Sequence, residues 1–482
     1  MGRSASPVVI MGAGPAGLAA GMLLARSGLE ITVLDKDPSE PPDTASAAWE
    51  DWSRHGVAQF RLAHTLLPGG AEILQTHLPE IFANLTALGA HQYDTLRPMP
   101  PTIADQSPRP GDDRFISLAA RRPVYELAFA HAAAATPNLQ IRRGTAVTSL
   151  VTGGSTIPGV THVRGVELDG GTTIDADLVI DASGRRSPLP ALLEAAGGRP
   201  PSEQSEDSRF VYYSRFYRKR DEVGFPEPYG ISLFPAGSIS VLTLAGDNDT
   251  WSTTLFATTA DKPMRAVRDP DVFERVVRSI PARAAWVDGE PITDVAVMAG
   301  ISDRERSMFA DGEPVATGIV PVSDAWACTN PSLGRGISMA LMHVVSLVPA
   351  LLDTLGRPAE TLESWHTITR EGVQRFHRST LRQDRLRNQE MDAIRTRSAE
   401  PTGRASPVAG GESAEDAALF TAMMTDPEVF RAVLEVAACM TTLEELGSRP
   451  GLRERVAAAA GVERELPPQP LQTRVELERL LA

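Results

Sequence analysis

Cysteine is scarce in this chain. Cys328 and Cys439 are the only two in 482 residues, which excludes a disulfide framework and a cysteine-rich metal cluster and fits a reducing, cytoplasmic setting. Positive charge is also in short supply. With 47 basic and 61 acidic residues the net charge is −14, which argues against nucleic acid or an anionic membrane surface as partner. Lysine is scarcest of all, present only as Lys36, Lys219 and Lys262, so nearly all positive charge is arginine. Unbroken apolar runs of spanning length are missing too. Residues 8–25 are uncharged but carry Pro15 and several glycines, and residues 337–352 are interrupted by His343 and Pro349, so no membrane span is expected. The opening Met1-Gly2-Arg3-Ser4-Ala5-Ser6 fits an acylation pattern that arises often by chance. No Ser–His–Asp set and no metal-ligand spacing stands out. What remains is an ordinary globular composition, 42% hydrophobic and 22% charged, on a chain long enough for two or three domains.

The informative presence is Gly12-Ala13-Gly14-Pro15-Ala16-Gly17. Val8-Val9-Ile10-Met11 before it reads as a buried strand, Leu18 to Arg26 as a helix, and Ile31 to Leu34 as a second strand closed by Asp35. That βαβ context turns a weak glycine pattern into a strong one. Gly12 makes the tight turn, Gly14 lets backbone approach a pyrophosphate, and Gly17 lets helix and strand pack closely. The helix N-terminus, with Pro15 and Ala16 in its first turn, turns unpaired N–H groups and a partial positive charge to the phosphates. Asp35 can accept from both hydroxyls of an adenosine ribose and would repel a 2′-phosphate, with Lys36 beside it. The chain is therefore expected to bind FAD or NAD.

The fold class expected is α/β. It comprises a Rossmann-type nucleotide domain in two parts (1–205 and 296–355), an inserted β-sheet substrate domain (206–295) and a helical C-terminal region (356–482). Periodicity predicts a helix from Leu66 to Leu88, a proline-rich loop over 97–113, and a helix from Arg122 to Ala135. Strands follow at Leu139–Ile141 and Ala146–Val151, with a hairpin of Val163–Leu168 and Thr172–Ile174 turning at Asp169-Gly170-Gly171. Leu178-Val179-Ile180 is a short buried strand ending in Asp181-Ala182-Ser183-Gly184. A meander comes next, over Phe210–Tyr217, Gly230–Phe234, Ser238–Leu244 and Thr253–Phe256, and a Gly/Ser/Pro-rich link runs from Ser398 to Ser413.

Downstream, Ile319-Val320-Pro321-Val322-Ser323-Asp324 reads as a strand ending in an aspartate, and Pro331-Ser332-Leu333-Gly334-Arg335-Gly336 opens an apolar helix. Asp324 is placed to accept from ribityl hydroxyls, and the helix end at Gly334 to Gly336 offers N–H groups to an anion such as the N1–C2=O edge of reduced flavin. Gly12-x-Gly14-x-x-Gly17, Asp181-Ala-Ser-Gly184 and Asp324…Pro331-x-x-Gly334-x-Gly336 together resemble the FAD-dependent monooxygenases of the para-hydroxybenzoate hydroxylase fold. The chain is most similar to their squalene-epoxidase and polyether-epoxidase-like branch, on Gln59-Phe60-Arg61-x-x-His64-x-Leu66-Leu67, Arg122-Pro123-Val124-Tyr125-Glu126 and Tyr213-Ser214-Arg215-Phe216-Tyr217.

The resemblance implies FAD as cofactor and transfer of one oxygen atom from O₂, through a C4a-hydroperoxyflavin, to a small apolar organic substrate. Epoxidation or hydroxylation in secondary metabolism is the expected outcome, with a flavin-dependent reductase or dehydrogenase and a halogenase as alternatives. It implies that Arg122 reaches the ribityl or pyrophosphate region and that Asp181 and Gly184 belong to the cofactor site. Two departures stand out: the family's Gly-Asp is Ser323-Asp324 here, and its internal Asp-Gly is Ser183-Gly184. The second puts direct docking of NAD(P)H in question and leaves a partner flavin reductase as the other electron source. The Trp-x-Trp-x-Ile-Pro motif of tryptophan-type halogenases is absent. Among single residues, Arg61 is either a cofactor contact or a surface salt bridge. His64 is either a catalytic residue facing flavin or substrate, or a loop histidine satisfied by backbone. Cys328 is a small buried residue or a covalent flavin link. One face of the Tyr212, Tyr213 and Tyr217 strand lines either the substrate pocket or the core.

Overall fold

In the computed structural model the residues described are 8–397, apart from 58, 63, 156, 223 and 227–231, together with 414–460 and 473–482. The acylation pattern at Met1–Ser6, the start of the strand expected at Gly230 and the link from Ser398 to Ser413 lie outside them. Five strands form a parallel sheet in the order Ile319–Pro321, Leu178–Asp181, Val8–Met11, Ile31–Leu34, Leu139–Arg142. Val8–Met11 and Leu178–Asp181 are buried at every position, as strands covered on both faces must be. Because all five run the same way, their carboxyl ends share one edge, where ligands of open α/β sheets bind. Gly12, Asp35, Ala182 and Val322 each follow directly on one of those ends.

The Pro15–Ala25 helix follows the first strand, with Pro15 at its first position and no side chain capping it at Gly14. It packs against Arg122–Ala134 and against Gly336–Thr354, the one helix among the described residues that is long and apolar enough to cross a membrane. The latter is buried between Pro15–Ala25, Pro68–His77 and Pro358–Glu371, as a core helix is.

A six-stranded antiparallel sheet with its own core is inserted between the second-last and last strands of the parallel sheet. Its order is Leu233–Ala236, Ile239–Ala245, Thr250–Thr258, Phe210–Arg218, Glu290–Pro291, with Ala296–Met298 also paired to Phe210–Arg218. The chain leaves and returns along an antiparallel ribbon, Ser202–Asp207 against Ser302–Ser307. The expected boundary at 295 therefore falls too early, since Ala296 and Met298 still pair with Ser214 and Tyr212.

Three other features differ from the sequence reading. The helix over Leu66–Leu88 is two helices, Pro68–His77 and Pro79–Ala87, because Pro79 has no N–H to continue the first. Thr65–Leu66 pairs instead with Ile116–Ala119, which also pairs His91–Asp94. A helix absent from the sequence reading, Ala45–Glu50, is capped by the Thr44 hydroxyl.

The C-terminal region is helical as expected, but it is no separate body. Its helices cover Met99 and Ile103 of the proline-rich loop and Leu96 and Phe115 at its ends, and Arg431 pairs with Asp112 at 2.7 Å. The long helix Val373–Arg397 crosses to the inserted sheet, where Arg387 donates to the Ile239 carbonyl at 2.7 Å.

The tightest point in the first βαβ unit is Gly17, where an added Cβ would lie 2.0 Å from the Gly12 carbonyl oxygen. Backbone cannot yield there as a side chain can. Gly17→Ala should cost about 3 kcal/mol, the upper end of an overpacked core, and lower the melting midpoint of the apoprotein. An unchanged midpoint would contradict this packing.

Candidate functional site

The adenosine end starts at Gly12. Its φ of +106° and the Ala182 carbonyl, 2.5 Å from where a Cβ would sit, leave room for glycine alone. Gly14 is different. Its φ of −84° suits any residue, and a Cβ there would meet nothing within 4 Å. Neither strain nor protein neighbours account for that glycine, so the open space in front of an uncapped helix N-terminus fits a phosphate.

Asp35 follows the next strand, 7% exposed. Its Oδ2 accepts from Ala13 N at 2.8 Å and from Arg54 Nη2 at 2.5 Å, and its Oδ1 accepts from Asp37 N at 2.9 Å. Arg54 goes on to Glu126 Oε2 at 2.8 Å, and Glu126 Oε1 accepts from Arg122 Nε at 2.8 Å. Burial alone would raise the Glu126 pKa, but Arg122 and Arg54 hold it below the ordinary value. The expectation that Asp35 is free for both ribose hydroxyls needs correcting, because only Oδ1 keeps spare capacity after these bonds. Lys36 is exposed.

At the ribityl end, Ser323 adopts φ +54°, a left-handed conformation that explains the family's glycine at this point. Its N–H donates to His343 Nδ1 at 3.3 Å. Asp324 is half-buried, and its carboxylate accepts from no described residue. Burial raises its pKa, opposed by the charges of Arg185, Arg122 and Arg304. A carboxylate with three cations around it and no hydrogen-bond donor on it suits the hydroxyls of a ligand. Gly334, at φ +65°, and Gly336, with open space at its Cβ, lead into the Gly336–Thr354 helix, which no side chain caps.

Asp181 does not join that surface. It is fully buried, accepting from Ser183 Oγ and Ser187 Oγ, each at 2.5 Å. It therefore shapes the turn through Gly184, at φ +80°, and leaves no lone pair facing a ligand. His64 Nδ1 bonds the Leu62 carbonyl at 2.9 Å, and burial with the Arg122 charge lowers its pKa to about 3. That bond fits the backbone-satisfied loop histidine of the two alternatives. Arg61 makes no salt bridge among the described residues. It donates to the Trp52 carbonyl at 2.7 Å and lies 4.9 Å over Trp49. Cys328 is buried, its thiol against the Ser302 carbonyl.

The inserted sheet turns one face to this strip. Alternation along Phe210–Arg218 sends Tyr212, Ser214 and Phe216 one way, where the Tyr212 hydroxyl donates to Asn330 Oδ1 at 2.6 Å and Phe216 packs 5.1 Å from Trp49. Thr254 and Leu242, in register with Ser214, share that face. Tyr213, Arg215 and Tyr217 point the other way, Arg215 to Glu274 at 2.8 Å. So Tyr212 alone of the three tyrosines turns toward the Asn330 turn, and it is buried there. Arg121 and Arg122, at one helix end, divide the work. Arg121 clamps Asp247 of the inserted sheet with bonds of 3.0 and 2.6 Å, while Arg122 pairs with Glu126.

The profile of the FAD binding domain family matches residues 5–380. The chain belongs to this family. It is an FAD-dependent oxidoreductase with the para-hydroxybenzoate hydroxylase-type fold. Protein Rv3254 of Mycobacterium tuberculosis is 28% identical over 377 residues, covering 73% of this chain and 74% of that protein. The 6-methylpretetramide 4-monooxygenase of Streptomyces rimosus is 24% identical over 360 residues, covering 73% and 76%. Among solved structures, PqsL of Pseudomonas aeruginosa superposes with a TM-score of 0.58 at 14% identity, over 80% of this chain and 97% of that one.

Within this FAD-binding chain, sequence reading missed Arg54, Glu126, Asn330 and the Arg121–Asp247 clamp. Only Glu126 had a visible signal, four residues after Arg122 on a helix. Gly14→Val should leave apoprotein melting unchanged and weaken FAD binding by more than about 100-fold, since the side chain would enter ligand space only. Ser323→Gly should stabilise the protein by roughly 1 kcal/mol through relief of its left-handed backbone, with FAD still bound. Flavin fluorescence titration and thermal melts measure both, and full FAD affinity in Gly14→Val would refute the phosphate position.

Proposed function

We propose that this FAD-dependent monooxygenase inserts one oxygen atom from O₂ into a small, largely apolar organic molecule held between the cofactor strip and the inserted sheet. The cofactor set proposed is Gly12, Gly14, Ala16 and Gly17 at the pyrophosphate, Asp35 through Oδ1 at the ribose, and Arg122 and Asp324 along the ribityl chain, with Gly334 and Gly336 at the flavin. The observation that carries the reading is the Tyr212–Asn330 hydrogen bond, which joins the sheet's cleft face directly to the turn beside Asp324 and Gly334. Bound FAD supplies the activation of O₂.

The chain's own residues bind and exclude water. Leu242 and Phe216 offer an apolar surface, and the Ser214 and Thr254 hydroxyls pair with each other at 2.7 Å. Burial keeps the Tyr212 phenol protonated well above its ordinary range, so it acts as a fixed donor to Asn330. The oxygen-inserting reading is favoured over halogenation by the lysines. Lys36, Lys219 and Lys262 are all exposed, and Lys262 Nζ bonds the Thr259 carbonyl at 2.9 Å. None is placed to hold hypohalous acid in the cleft. 6-Methylpretetramide, the compound named for the Streptomyces relative, is the first substrate to try. Electrons come from reduced nicotinamide or from free reduced flavin delivered by a partner reductase.

The test is turnover by the holoenzyme under ¹⁸O₂ with NADH or NADPH, with and without an added flavin reductase and with saturating halide. Label from ¹⁸O₂ in the product is expected. Halide incorporation, or substrate reduction without oxygen consumption, would overturn the proposal. Tyr212→Phe removes one hydrogen bond, worth about 1 kcal/mol, and should lower kcat/KM roughly fivefold with more H₂O₂ released per O₂ consumed.

A further inference from the structure

Asn330, 1% exposed, opens the turn Pro331–Leu333 that precedes Gly334, and its polar groups reach three separate parts of the fold. Its N–H donates to Asp303 Oδ1 at 2.6 Å on the return ribbon, and its Oδ1 accepts from Tyr212 of the inserted sheet. Its Nδ2 donates at 3.3 Å to Asp384 Oδ2 on the Val373–Arg397 helix. The other oxygen of Asp384 accepts from the Ser332 hydroxyl, inside the same turn. One helical turn earlier, Thr380 Oγ1 accepts from Arg335 Nη1 at 3.1 Å. Asp384 is 5% exposed and lies beyond residue 380, where the family match ends.

We propose that Asp384 is a positioning residue for the flavin. From a helix outside the matched segment it fixes the Asn330–Gly334 turn, and it takes up a proton when negative charge develops on the cofactor beside that turn. The inference rests on reading Pro331–Gly336 as the turn that faces the flavin.

Two buried carboxyls, Asp303 and Asp384, are bridged by one asparagine, and ionising both in an apolar surround is costly. The groups facing Asp384 are Ser332 and Arg335 of the turn segment, Asn330, Asp303 of the ribbon and Tyr212 of the sheet. On its own helix, His377 lies toward Glu305, and Arg385 pairs with Glu206. Burial raises the Asp384 pKa to about 7, with Asp303 adding to the rise and Ser332, Asn330 and Arg335 opposing it. The carboxyl is thus poised between its two states near neutrality. Two-electron reduction of FAD by nicotinamide or free reduced flavin, with one proton to the flavin, leaves one negative charge on the cofactor. A further proton from solvent goes to the Asp384 carboxylate.

Asp384→Asn can accept from Asn330 Nδ2 through its amide oxygen, donate through its NH2 to the Ser332 hydroxyl, and cannot titrate, whereas Asp384→Ala removes both partners. FAD affinity, read by flavin fluorescence on apoprotein, should be close to wild type in the Asn variant and about tenfold weaker in the Ala variant, as for loss of a buried hydrogen-bond partner. The flavin midpoint potential should fall more steeply with pH around neutrality in wild type than in Asp384→Asn. Parallel potential–pH lines for these two proteins overturn proton uptake at Asp384, and wild-type FAD affinity in Asp384→Ala overturns positioning. Failure of wild-type protein to bind FAD would instead refute the flavin reading itself.

Discussion

The approach of Gly17 to the Gly12 carbonyl is the constraint on which the site depends. It draws the helix N-terminus over the end of the first strand, and Ala182, from the neighbouring strand end, closes on Gly12 from the other side. Both contacts are backbone against backbone, so neither can relax by a change of rotamer. With the helix end fixed, its unpaired N–H groups and partial positive charge point across the carboxyl edge of a parallel sheet, where the Asp35 and Asp324 turns also emerge. Open space at Gly14 is what this packing leaves for a ligand.

Electrostatics follow from the near-absence of lysine. Guanidinium groups around the first helix and the inserted sheet are held in buried networks: Arg54 between Asp35 and Glu126, Arg122 on Glu126, and Arg121 on Asp247. A planar fork with several donors can satisfy two carboxylates and a carbonyl at once, as Arg54 does, where an ammonium would be harder to satisfy. Buried ion pairs of this kind add little net stability but fix geometry. Here they bind the loop holding Arg54 to the helix that also carries the inserted sheet's anchor. Asp324 is the exception, a carboxylate surrounded by charge and left without a donor.

Much of this was legible in the chain. The first βαβ unit, the meander of the inserted sheet and the Ser323-Asp324 turn all appear where periodicity and glycine spacing put them, because each is a local pattern. Carboxylates were harder to read. Asp35, Asp181 and Asp324 all follow or end buried strands, yet Asp181 turns inward to two serines, Asp35 is mostly satisfied by Ala13, Asp37 and Arg54, and only Asp324 stays open. Which way such a side chain turns is decided by neighbours distant in sequence. Asp384 is the extreme case, lying 54 residues from the asparagine it holds, on a helix whose own pattern says only that it is amphipathic. Pro79 was visible as a helix breaker, but the spacing of leucines across it masked the break.

The central claim is that one ligand spans both ends of the sheet edge, with its adenosine at Asp35 and its ribityl chain at Asp324. Calorimetric titration of apoprotein with FAD, FMN and ADP tests it most directly. If both halves are engaged together, FAD should bind about 10² to 10⁴ times more tightly than either fragment, and ADP should compete with it at high concentration. Equal affinity for FMN and FAD, or failure of ADP to compete, would contradict it.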